Sequence, residues 1–186
     1  MRFSHLAIDK PLLDASCWYR FLTNTDHVTK DRTVHYQALK GAQFTSSTGK
    51  PWDHELSGAV VGAPDSAEQI RVSGEAKVEA ARQKFVARGA KVPSKIQFAG
   101  IAHAEGIELR NTIEGIRTDT AYTPLTDNRS HSDFVTFHST SDFSLDPVRY
   151  WLIKTLQVIS PSEVEKIAPK LAEKSPSDKE RFGDKD

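Results

Sequence analysis

A chain of 186 residues, 38% hydrophobic and 27% charged, is long enough for one domain with a real core and short for two. Lysine plus arginine equals aspartate plus glutamate at 25 each, so bulk charge announces no nucleic-acid partner, and any basic face has to be local. The single cysteine, Cys17, excludes an intrachain disulfide and a cysteine-based zinc cluster. No apolar run approaches the roughly 20 residues of a membrane span.

In chain order, FSHLAI at 3–8 reads as a strand and DASCWYRFL at 14–22 as a short helix capped by Asp14. MRFSHLAIDK lacks the long apolar region of a signal peptide, so a soluble intracellular protein is expected. TVHYQALKGAQFTSS and HELSGAVVGA, joined at Thr48-Gly49-Lys50-Pro51, read as a hairpin. Residues 66–90 are ambiguous. Val78, Ala81 and Phe85 share a helical face, which favours a helix over about 75–88 stopped by Gly89, while QIRVSG just before alternates like a strand. Three β-like runs follow, KIQFAGIAHA, GIELRNTIEGIRT and SHSDFVTFHST, and their short links favour an antiparallel meander.

Two helices close the pattern. Asp146 reads as an N-cap with Pro147 at the first helical position, and Val148, Trp151, Leu152, Leu156 and Ile159 form an apolar stripe. Ser160 and Glu163 stand at capping-box spacing before a second stripe, Val164, Ile167, Ala168 and Leu171. The expected architecture is therefore one α+β domain over 1–174, an antiparallel meander sheet with two C-terminal helices covering one face. Residues 175–186 read as a polar C-terminal tail.

Little in the chain announces chemistry. The histidines, His5, His27, His35, His54, His103, His131 and His138, come without an HExxH or His-x-His pattern, so no metal or cofactor is expected. Cys17 has no local activating signature, GAVVGAP lacks the Lys-Ser/Thr of a phosphate loop, and SHSDF is no triad by adjacency alone. No catalytic residue is assigned.

Three family resemblances bear on function. HLAIDKPLLDASCWYRFL looks like the opening of glyoxalase/dioxygenase-type metal enzymes, which would make His5 a first ligand, with no second matching half. TVHYQAL, with Tyr150 and Lys154, resembles the histidine and tyrosine motifs of rolling-circle replication endonucleases, one residue too long in the second. The third covers most of the chain. SDFVTFHSTSDFSLDPVRYWLIKTLQVISPSEVEKIAPKL at 132–171 resembles the coat proteins of single-stranded RNA bacteriophages of the levivirus type. KIQFAGIAHAEGIELRNTIEGIRTDT looks like that family's central strands, and KDRTVHYQALKGAQFTSS like its N-terminal hairpin. Residues 1–25 and the stretch at 66–90 are extra to the pattern.

What the third resemblance implies is a structural capsid protein and no enzyme. It would form interlocked homodimers that self-assemble into an icosahedral shell around RNA, in the virion and, during assembly, in the host cytoplasm, with no membrane partner. Val148, Trp151, Leu152, Leu156 and Ile159 would then cover a partner's sheet. Glu108, Arg110 and Thr112, followed by His131 and Asp133 on the next strand, would contact RNA, with Lys91, Lys95 and Arg117 nearby. The alternatives are a non-enzymatic dimeric binding domain and a small metal-dependent enzyme built on His5 or His35.

Overall fold

The computed structural model of the protein describes residues 15–39, 44–47, 49–61, 66–123, 125, 130–138 and 143–174. The strand expected at 3–8, the cap Asp14, His5 and the polar tail lie outside them. Among the described residues eight strands form one sheet: β1 (Cys17–Leu22), β2 (Phe44–Ser46), β3 (His54–Val60), β4 (Gly100–Glu105), β5 (Asn111–Ile113), β6 (Ile116–Tyr122), β7 (His131–Phe137) and β8 (Gln157–Ile159). The helices are α1 (Ser66–Val86), α2 (Gly106–Leu109), α3 (Asp146–Thr155) and α4 (Pro161–Lys174). Every pairing is antiparallel and the order is β5-β6-β7-β3-β1-β4-β8, with β2 on β3. The α+β class, the antiparallel sheet and the two C-terminal helices are as expected. The meander is confined to β5-β6-β7.

CWYRFL is a central strand, not the expected helix. Trp18 and Leu22 enter one core while Cys17 and Tyr19 enter the other, so both faces of β1 are buried. A strand buried on both faces has no period-two signature, and its aromatic residues suit a pleated surface better than a helix. GIEL departs in the other direction. It forms the single helical turn α2, in which the Glu108 carboxylate accepts the Glu105 N–H at 2.8 Å. In TVHYQAL, Tyr36–Leu39 is a 3₁₀ turn, so the hairpin is the shorter pair β2–β3.

The ambiguity at 66–90 resolves as helix throughout QIRVSG. Ile70 and Val78 face the core, and Gly74 lies between them because a Cβ there would meet the Phe98 ring at 2.7 Å. Gly89, at φ +66, follows the helix as its stop, with the Ala90 N–H donating to the Phe85 carbonyl.

The C-terminal helices divide between the faces rather than share one. Val148, Leu152 and Leu156 pack with Trp18, Leu56 and Phe134, whereas Val164 and Ala168 of α4 pack with Ile70 of α1 and with Tyr19 and Ile101 on the opposite side. The reason lies in the three residues of β8. α3 stops at Thr155, Leu156 turns to φ −72 and ψ 127, and β8 pairs with β4 at the sheet edge, carrying the chain from one face to the other. Ile159 consequently leaves the predicted stripe and is buried beside Val164. Trp151 is half-buried against the first core, its ring centroid 6.2 Å from that of Phe134. All five residues assigned to a dimer interface are thus covered, wholly or partly, by their own chain.

The helix starts are nearly as expected. Asp146 is the first residue of α3 rather than its cap. Its N–H donates to Ser144 Oγ at 3.2 Å, and its carboxylate accepts from Tyr36 Oη at 2.9 Å and Arg149 Nη1 at 2.7 Å. At α4 one half of the capping box forms: Glu163 Oε2 accepts the Ser160 N–H at 3.1 Å, also accepts the Ser160 hydroxyl at 2.5 Å, and pairs with Arg32, while the Glu163 N–H donates to the Ser160 carbonyl. These hydrogen bonds hold the Glu163 carboxyl down at about 2, from an ordinary value of 4.5. A lowered carboxyl pKa contributes stability above the unfolded value and loses it as pH falls through the folded one. Thermal melts should therefore show a loss of stability between about pH 4.5 and about 2 that is smaller in Glu163→Gln. Equal slopes would remove Glu163 from the account.

Candidate functional site

The residues expected to contact RNA do not form one strand face. Glu108 belongs to α2 and caps it. Thr112 is exposed on β5 opposite Arg117 of β6, and opposed residues of an antiparallel pair share a face. The Asp119 carboxylate lies on that face, 3.3 Å from Arg110 Nε and 3.4 Å from Arg117 Nη2. Arg117 also lies over the Phe137 ring, 4.5 Å from its centroid. His131 and Asp133 join the same face farther along β7, so four of the five residues are brought to one side of the sheet. Much of that side is closed: Asp119, Ala121, Asp133 and Val135 are buried, the last in a small cluster with Trp52 and Phe137.

His131 is the hub of a polar network there. Its Nε2 lies 2.9 Å from Ser57 Oγ, and its Nδ1 lies 2.9 Å from the Thr123 carbonyl and 3.0 Å from Thr123 Oγ1. Thr123 Oγ1 donates to Asp133 Oδ2 at 2.7 Å. Burial raises the Asp133 carboxyl above its ordinary value, against the pull of the Thr123 hydroxyl and His131. Ser, His and Asp therefore do meet in space, but Asp133 Oδ1 is 3.8 Å from Nε2, the nitrogen that already faces Ser57. A hydrolytic triad needs its acid on Nδ1.

The other described histidines are dispersed. His27 and His35 line an open polar cleft of about 580 Å³ with Asn24, Asp26, Gln37 and Lys95, in which Lys95 Nζ is 2.5 Å from Asp26 Oδ2. Burial, with Arg20 nearby, lowers the His27 pKa. His54 and His138 lie with their ring centroids 5.6 Å apart, and His138 stacks on Phe143. His103 Nδ1 is 3.6 Å from the buried Cys17 Sγ. Among the described residues no three His, Cys, Asp or Glu side chains converge as metal ligands.

A second feature was not anticipated from the sequence: the sheet forks at Ser57. On one side β3 pairs continuously with β7 from His54 to Ala59. On the other, β2 pairs with His54, Glu55 and Leu56, and β1 with Ala59 and Val60. Neither strand reaches Ser57 or Gly58 from that side, and β1 continues with β4 alone from Arg20 to Leu22. The Arg20 guanidinium bridges the gap, donating from Nη1 to the Ser57 carbonyl at 2.5 Å. Burial pushes the Arg20 pKa down to about 10. The fork opens into a cleft of about 400 Å³, closed on one side by α1, whose Lys77 and Lys84 are two turns apart with Ala80 and Ala81 between them. Phe21 contributes an aromatic wall, its centroid 5.6 Å from Lys77 Nζ. The described lining carries three cations and no carboxylate.

One signal in the sequence pointed here. Arg20 interrupts an otherwise apolar run, and a charged side chain in a buried strand is expensive unless its surroundings pair it or let it reach a polar opening. No protein-family model matches the chain, and neither a curated protein nor a solved structure is significantly similar to it.

Proposed function

We propose that this chain is a structural, RNA-binding protein of the coat type, which associates with copies of itself and packages RNA. The observation that carries the reading is the order of described elements over 132–171, β7 followed by α3, the short strand β8, Ser160-Pro161 and α4, on an antiparallel sheet. It is in that order, β8 apart, that the chain resembles the levivirus coat proteins. The strand order β7-β3-β1-β4 and the placement of α4 opposite α3 are features of this chain's own. Association in this fold runs through surfaces other than the α3 stripe, because Val148 and Leu152 are already buried at home.

That last observation favours a second reading, a self-contained binding domain that stops at a small oligomer. Light scattering on a sizing column, with absorbance at 260 and 280 nm, separates the two. Megadalton particles that protect RNA from nuclease are expected for the coat protein; a monomer or dimer free of nucleic acid overturns it and leaves the binding domain. Within particles, Arg110→Ala should lower the RNA retained while the fold persists, since it removes a cation held beside Asp119 at the sheet surface. Unchanged retention across several salt concentrations would place the contact elsewhere.

A further inference from the structure

We infer that the fork between β1 and β3 is a binding site for a phosphate ester, with Lys77, Lys84 and Arg20 holding the phosphate and Phe21 the base. The inference rests on the RNA-binding reading for its natural ligand but not for its chemistry. Three observations lead to it. The chain is electrically neutral, yet the described lining of this cleft carries three cations and no carboxylate, a local field that attracts an anion. The cations come from two elements at fixed spacing: Lys77 and Lys84 project from one side of a long helix, and Arg20 is anchored in place by the Ser57 carbonyl. Finally, a volume of about 400 Å³ falls in the range of about 300–1,000 Å³ usual for small-ligand sites.

The geometry also says which anion. A bare ion would need only the cations, but this cleft adds the Phe21 ring, which Lys77 Nζ now covers at 5.6 Å; drawn off to a phosphate, that ammonium would leave the ring to the apolar face of a base. Ser57 also lines the cleft, its Oγ 2.9 Å from His131 Nε2. The interruption in the sheet is the structural reason the site exists. A strand pairing with Ser57 and Gly58 on that side would close the fork, and the alanines between the lysines keep the helix side open.

Such a phosphate ester is either one link of a single-stranded RNA or a free nucleotide, and the test separates the two sources. Fluorescence anisotropy of labelled oligouridylate and calorimetric titration with uridine monophosphate would be run on the full chain, the variant Lys77→Gln/Lys84→Gln and the control Lys166→Gln, whose lysine lies exposed on α4. Both lysines of the pair are exposed, so the variant keeps its fold, which circular dichroism checks. For an RNA link, oligouridylate binds the wild type and the control alike and the pair at least tenfold more weakly. The slope of log affinity against log salt then falls in magnitude by about 1.4, two contacts at about 0.7 each on a single strand. Binding of the monophosphate alone, lost in the same variant, supports the site with a nucleotide as its ligand. Equal oligouridylate affinity in the wild type and the pair overturns the site and leaves RNA binding standing. Failure of both probes to bind the wild type also overturns it, while the coat reading is judged separately by the RNA found in particles.

Discussion

Gly100→Ala is expected to lower the stability of the fold by about 2–5 kcal/mol, a large share of what a single domain has. Gly100 opens β4 at φ +114, a backbone region that side chains rarely enter. Strain of that kind costs about 1–3 kcal/mol on its own. The added Cβ would also fall 2.1 Å from the Ile159 carbonyl oxygen, so backbone rather than a flexible side chain would have to give way. The consequence reaches beyond one pair, because β8 is only three residues long and is the segment that carries the chain from the α3 face to the α4 face. Urea denaturation followed by circular dichroism measures it. A midpoint close to that of the wild type would mean that β8 does not pin α4.

Trp18→Ala should be comparably damaging, at about 3–5 kcal/mol for removing a buried tryptophan. Trp18 is fully buried at the centre of the sheet, its Nε1–H donating to the Ser132 carbonyl at 3.4 Å and its ring tilted toward Phe134 with centroids 6.4 Å apart. The ring lies directly over Gly58, where a Cβ would meet it at 2.4 Å. This close approach makes a sharper test than the single loss. Gly58→Val should be destabilising alone, by overpacking, yet less so or even favourable in the Trp18→Ala background, where it refills part of the space. Additive losses in the double variant would show that the two positions do not share a cavity. Because Gly58 is one of the two β3 residues that neither β1 nor β2 pairs, the cycle also reports on how firmly the ring shapes the site.

The expectations that held are those in which neighbours in sequence are neighbours in space. The Ser160–Glu163 half of the capping box, Gly89 beyond α1, the β2–β3 hairpin and the succession of β7 and α3 each lie within a few turns of chain. The failures have a common cause. CWYRFL became a strand because two separate cores claimed its two faces, and QIRVSG became helix because Gly74 had to admit the Phe98 ring. Glu108 and Arg110, two residues apart, were expected on one strand face and instead cap a helical turn and pair with Asp119.

By itself, then, the sequence determined the class of fold, the starts of the two C-terminal helices, the stop after α1, and the order of the C-terminal elements. The tertiary structure decided everything that depends on register between distant strands. It set the division of α3 and α4 between faces, the burial of Trp151's stripe at home, and the fork that gathers Arg20, Ser57, Lys77 and Lys84 from three elements. Periodicity records which way a side chain points from its own element. It carries no record of which strand runs alongside, and here the gap between β1 and β2 on β3 makes the cleft.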